Sequence, residues 1–337
     1  MANAWRSLRH PVGLVPSLAR FKVVVDSLRA DLQIRQLRGI EAAYAGPAGP
    51  DVLVFGDSAM LWRSATEPEK RSLAAMLADE FGGEVSLHFV LGNAYNPRLV
   101  RAFVTALSRT ASKPKAVIVP TSLMTTAQAW LAHPDLGYET ASTALLDMIG
   151  SGTRRPRRLP RAPHSAWESY DRQAAPSLIG ERRTLGELRM IVNAVPANPR
   201  QRPTSKWQHL VRTRYLSDLT NAERLRPESP GVRCVAELAE TLRGLDIPSL
   251  AYISPVNYEL INKLLRKDVV AHLAANEQTV ADAYRGAGES AEIVTGALIS
   301  EATDFGDAVH LNGAGRRRFA PLLAEPVRTF LVDQREP

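Results

Sequence analysis

From Asp51 onward, short apolar runs take turns with helix-period stretches, and no other feature limits the possible folds as much. Val52–Phe55 precedes a helical pattern over Pro68–Phe81, Val85–Leu91 precedes one over Pro97–Arg109, and Ala116–Pro120 precedes less regular sequence. Alternation resumes with Ser249–Ile253, a long helical stretch from about Tyr258 to Tyr284, the run Glu292–Val294 and a last helix from about Gly313 to Leu331. Five βα units predict a parallel five-stranded sheet with helices on both faces, a three-layer α/β/α sandwich. Two helix starts carry their own signals. Thr66 with Glu69 reads as a capping box, and Asn96 before Pro97 sets a cap residue ahead of a proline at the first helical position. No fixed-period repeat is present, which excludes solenoids and propellers.

The flanks differ from this pattern. Leu18, Phe21, Val25, Leu28 and Leu32 recur at spacings of three and four with charged residues between them, an amphipathic helix. Packing on the protein's own core is the commoner use of such a helix; a membrane surface or a partner is the alternative. Two Gly-Pro breaks at 45–50 end it, so residues 1–50 read as N-terminal helix and linker, and 51–331 as the sandwich. Roughly from Ser151 to Pro230 the chain is rich in Arg and Pro, as in Arg154-Arg155-Pro156-Arg157-Arg158, which predicts an insertion forming a lid or a partner surface.

With 337 residues, 45% of them hydrophobic, the chain can bury a sizeable core without covalent staples. Its one cysteine, Cys234, cannot pair internally and sits in the helical-looking run Val232–Leu245, as a small buried residue would. The first fifteen residues lack the pattern of a secretory signal and no stretch is long enough to span a bilayer, so a cytoplasmic location without stable membrane insertion is expected. Lys and Arg number 42 against 35 acidic residues, a formal +7 that favours phosphate- or carboxylate-bearing partners without specifying nucleic acid.

The segment Asp51-Val-Leu-Val-Phe-Gly-Asp-Ser58 runs an apolar strand straight into a turn. Ser58 therefore stands at the carboxyl end of a strand, where open parallel sheets place their ligands. Gly56 permits the tight turn, and backbone N–H groups around Ser58 can face a developing oxyanion. A serine hydroxyl needs a base to take its proton and a group to orient that base. Asp307-Ala-Val-His310 lies between the last strand and the last helix, on the same sheet rim, with a spacing that lets the carboxylate accept the second imidazole N–H. The plainer account is that Asn312 caps the final helix and Asp307 decorates a turn.

With these residues in view, the chain resembles the SGNH or GDSL-type hydrolases. Phe55-Gly56-Asp57-Ser58 matches that family's first block, with Ser58 at the nucleophile position, and Asp307-Ala-Val-His310 matches its last, with acid and base in place. The resemblance implies a flavodoxin-like sandwich, activity on acyl esters by hydrolysis or transfer, and no metal or organic cofactor. It also implies an oxyanion-binding glycine in the second block, for which Gly92 is the best match. The third block, normally Gly-x-Asn-Asp, reads Val119-Pro120-Thr121-Ser122-Leu123 here, so the expected asparagine is absent and Ser122 or Asn93 would supply the donor. Tyr252-Ile-Ser-Pro-Val-Asn257 looks like the Pro-Val-Asn element of distant SGNH-like proteins that acylate surface polymers; Asn257 is a substrate contact in that reading and a helix cap in the plainer one.

His88, His133, His164, His209 and His272 lack metal-ligand spacing, and neither Gly-x-Gly-x-x-Gly nor Gly-x-x-x-x-Gly-Lys occurs. Trp167, Tyr170 and Trp207 lie among the arginines of the insertion, so that segment is compatible with tRNA, with CoA or with a carrier protein as the anionic partner, and also with a plain solvated face. The expectation is a serine-dependent esterase or acyltransferase with a Ser58–His310–Asp307 triad. Its alternatives are an aminoacyl or acyl transferase with an RNA-, CoA- or carrier-linked donor, and a sandwich that has lost catalysis and binds an anionic partner.

Overall fold

A computed structural model describes residues 30–63, 67–92, 95–132, 137–151, 159, 224–259, 270–296, 301–306 and 309–334. Its centre is a five-stranded, all-parallel sheet in the order β2-β1-β3-β4-β5, with β1 Val52–Gly56, β2 Leu87–Leu91, β3 Ala116–Thr121, β4 Ser249–Ile253 and β5 Ala291–Val294. Every residue of β1, β3 and β4 is buried, and burial on both faces is why these strands read as unbroken apolar runs. Register runs Val52 beside Leu87 on one side and beside Ala116 on the other, and Ser249 beside both Val117 and Ala291.

Alternate residues of each strand feed two cores. Leu53, Phe55, Val117, Val119, Ala251 and Ile253 face one of them. That core is closed by α1 (Ala30–Ala43), α4 (Pro97–Thr105), α6 (Glu139–Ser151), α7 (Pro230–Gly244) and α8 (Val270–Arg285). Val52, Val54, Ala116, Ile118, Leu250 and Tyr252 face the other, closed by α3 (Leu73–Glu80) and α9 (Gly313–Asp333). The result is the three-layer α/β/α sandwich expected from the alternation. Two shorter helices, α2 (Ser58–Leu61) and α5 (Gln128–Ala132), follow β1 and β3.

Local chemistry sets several boundaries. Asn96 accepts from Leu99 N–H at 3.0 Å with Pro97 in the first turn, as the sequence predicts. The helix expected from Pro68 starts later, at Leu73, because Ser72 is the cap and accepts from Ala75 N–H. Glu69, predicted to close a capping box, instead gives its carboxylate to Arg71 and Arg317. Helix α9 continues through Pro321 and Pro326, each of which removes a helical N–H donor. Burial of Phe319, Leu323, Val327 and Leu331 against the sheet offsets that loss. Helix α1 buries Ile34, Leu37 and Ile40 in the first core, and Gln36 donates to the Leu91 carbonyl at the end of β2.

The order 2-1-3-4-5 places a switch point between β1 and β3. The helix following β1 packs on one face and the helices following β3 on the other, so their connecting loops part at the carboxyl edge. Among the described residues no helix is long and apolar enough to cross a membrane.

Candidate active site

Ser58 is the first residue of α2, directly beyond the carboxyl end of β1 and at the switch point. Asp57 makes this turn: its Oδ1 accepts from Ala59 N–H at 2.9 Å as the cap of α2, a contribution of about 1 kcal/mol. The same carboxylate is only 6% exposed and receives the Ser254 hydroxyl at 3.0 Å and, less closely, the Tyr252 hydroxyl at 3.4 Å. Burial pushes the Asp57 carboxyl up from its ordinary range; hydrogen bonds from Ser254 and Ala59, the nearby His310 and the Tyr252 hydroxyl pull the other way without cancelling it. The end of β4 thus fixes the turn at the end of β1.

His310 comes from the segment that joins β5 to α9, 252 residues away, and its Nε2 is 3.2 Å from Ser58 Oγ. Both side chains are partly exposed. At this distance the hydroxyl can donate to an unprotonated Nε2. The approach is set by neighbouring segments: Gly306 N–H donates to the His310 carbonyl at 2.8 Å, and Phe305 bridges Leu311. Asn312 then caps α9 by accepting from Ala314 and Gly315 N–H, as the plainer reading of that segment expects.

Trp62 completes the constellation. Its ring stacks on the imidazole of His310 with centroids 5.2 Å apart and planes 13° from parallel. The Arg316 guanidinium lies over the same indole at 5.9 Å, the outer edge of cation–π range. Arg316 is fully buried and donates to the Glu67 carboxylate and the Leu311 carbonyl, each at 2.8 Å.

The remaining sequence candidates fare differently. Gly92 is in place beside β1, but its N–H donates to the Gly56 carbonyl at 3.0 Å, so it extends the ladder and is not available to an oxyanion. A side chain at Gly92 would meet the buried ring of Tyr95, which explains the residue as a packing requirement. Ser122 is likewise occupied: its hydroxyl donates to Thr125 Oγ1 at 3.0 Å and accepts Thr125 N–H at 3.1 Å, which makes it a turn cap. Asn257 is buried beyond β4, immediately before the helical residues Tyr258 and Glu259. Asn93, Asp307, and the Arg/Pro-rich insertion at 152–158 and 160–223 lie outside the described residues. Cys234 is buried in α7. Among the described residues no group of His, Cys, Asp and Glu could hold a metal ion.

Sequence reasoning missed Trp62, Ser254, Tyr252 and Arg316. Only Trp62 left a local signal: at four residues after Ser58 it shares one helical face with the serine. Ser58, His310 and Trp62 together bring a hydroxyl and an imidazole within hydrogen-bond reach beside one aromatic wall. No family model matches the chain, and no curated protein matches it either.

Proposed function

We propose that the protein is a serine-dependent acyl ester hydrolase or acyltransferase that works through an acyl-enzyme. The carrying observation is the 3.2 Å approach of Ser58 Oγ to His310 Nε2 across 252 residues of chain, at the switch point of the sheet. A pair of this kind, partly open to solvent and braced by buried neighbours, supports nucleophilic catalysis over a decorative turn. The resemblance of Phe55-Gly56-Asp57-Ser58 and Asp307-Ala-Val-His310 to the first and last blocks of SGNH-type hydrolases supports the same reading.

In this reading Ser58 Oγ bonds to the acyl carbon as its proton passes to His310 Nε2. The ester C–O bond then breaks, and His310 returns the proton to the leaving oxygen. Water or a second alcohol, deprotonated by His310, attacks the acyl carbon, the bond to Ser58 Oγ breaks, and that oxygen takes the proton back from His310, which ends the cycle. Asp307 is assigned to orient the imidazole. The backbone N–H of Ser58, in the first turn of α2, is assigned to the oxyanion, with Gly92 excluded by its bond to Gly56.

A fluorophosphonate probe tests this directly. The parent should be labelled on Ser58, and Ser58→Ala and His310→Ala should not. Equal labelling of parent and Ser58→Ala, or none in the parent, overturns the assignment. The engagement of Gly92 N–H and Ser122 Oγ elsewhere favours a second reading, in which the sandwich binds an anionic partner without turnover. Salt-sensitive binding of tRNA or CoA unchanged by Ser58→Ala and His310→Ala, in a protein the probe does not label, supports that alternative.

A further inference from the structure

We infer that Trp62 is a positioning residue for His310, acting on the face of the imidazole beside the orienting role assigned to Asp307, so that one helical turn carries both the nucleophile and a surface that holds its base. The inference rests on the proposed role of His310. Trp62 N–H donates to the Ser58 carbonyl at 2.8 Å, closing the single turn of α2. Residues four apart on a helix share a face, so the hydroxyl of Ser58 and the indole of Trp62 reach the imidazole together. One meets it at the Nε2 edge, at 3.2 Å, and the other across its plane, at 5.2 Å and 13°. Contact at an edge alone leaves a ring free to swing about its side-chain bonds. Contact at an edge and a face does not.

Two groups bear on Trp62 from other segments. A Cβ at Gly306 would fall 2.1 Å from the indole, so the glycine clears space for the ring and lets the backbone lie against it. Arg316 backs the indole from α9, held by Glu67 and the Leu311 carbonyl, while its Nε has no hydrogen-bond partner. A fully buried arginine with an unused donor is costly, and its guanidinium is fixed over the indole by the bonds its other nitrogens make. Gly306, His310 and Arg316 therefore converge on the Trp62 ring. Among the described residues, Ser58 and Trp62 meet His310, Asp57 lies nearby in the β1 turn, and Arg316 stands behind Trp62.

Nucleophile and base must be aligned to within a fraction of an ångström, and a misplacement of about 1 Å costs on the order of 100-fold in rate. Trp62→Leu removes the flat face, and Trp62→Phe keeps one. The test uses the full chain, with Trp62→Met in place of the leucine variant should that one fail to melt cooperatively. Two readouts are taken: the order of the His310 imidazole from carbon relaxation at Cε1, identified by its loss in His310→Ala, and the saturating rate constant for fluorophosphonate labelling of Ser58. Trp62→Leu should loosen the ring and slow labelling roughly 10- to 100-fold, and Trp62→Phe should restore most of both. A ring as ordered in Trp62→Leu as in the parent overturns the inference, as does slower labelling through a smaller active fraction at an unchanged rate constant. A parent that the probe never labels overturns the proposed chemistry instead, and the imidazole readout still decides the role of Trp62.

Discussion

The backbone N–H of Gly92 donates to the Gly56 carbonyl at 3.0 Å, carrying the β1–β2 ladder one residue past the end of β2. A Cβ added at Gly92 would sit 2.1 Å from the Tyr95 ring, which is fully buried and hydrogen-bonded to Gln36 of α1. Gly92→Ala should therefore act on stability, lowering it by about 1–3 kcal/mol through overpacking. Urea unfolding measures this, and adding Tyr95→Leu should return part of the loss. An alanine variant as stable as the parent contradicts the packing account.

Ser122 separates a turn cap from an oxyanion donor. Because its hydroxyl is taken up by Thr125, Ser122→Ala should cost about 1 kcal/mol of stability. The labelling rate constant of Ser58 should stay within about twofold of the parent value, whereas loss of an oxyanion donor reduces rates by roughly 100- to 1,000-fold. A drop of that size, in a protein that still folds, would return Ser122 to the catalytic site.

Asp57 gives the site a pH signature. Burial raises its carboxyl pKa above the unfolded value, so the folded state holds the proton more tightly than the unfolded chain does. Its favourable effect on stability is full below the unfolded pKa of about 3.9 and is lost as pH rises through the raised value. Asp57→Asn keeps an oxygen for Ala59 N–H and carries no charge. Relative to the parent, its stability should rise as pH increases above about 4, the unfolded value. A difference that stays flat as pH is raised from there refutes a poorly solvated charge at Asp57.

Arg316 and Glu67 form an ion pair at 2.8 Å in which the arginine is wholly buried. Removing one partner leaves the other's charge uncompensated. Arg316→Ala should cost about 3–5 kcal/mol, while Arg316→Met, which refills the volume without a charge, should cost less. Thermal or urea unfolding of the two variants orders them, and the reverse order would show that filled volume is not what the site needs from Arg316.

What could be read in the sequence follows from where each residue's partners lie. Strand β4 was legible to the residue because burial on both faces demands continuous apolar side chains, and the Asn96–Pro97 start of α4 because a cap bonds within three residues. Ser58 and His310 were legible because each stands at a strand or helix end whose rim the alternation already fixed. The start of α3 was misplaced because Glu69, which fits a capping box locally, is claimed by Arg317 from 248 residues away. The roles of Gly92, Trp62 and Arg316 were hidden for the same reason. Whether an amide extends a ladder, or an indole lies on an imidazole, depends on neighbours that sequence spacing does not encode.

The distance along the chain between Ser58 and His310 also has a temporal meaning. A nascent polypeptide emerging from the ribosome presents Ser58 long before His310 exists, so the contact between hydroxyl and imidazole cannot form until translation has passed residue 310. Premature termination anywhere in those 252 residues yields a product in which the pair is never assembled.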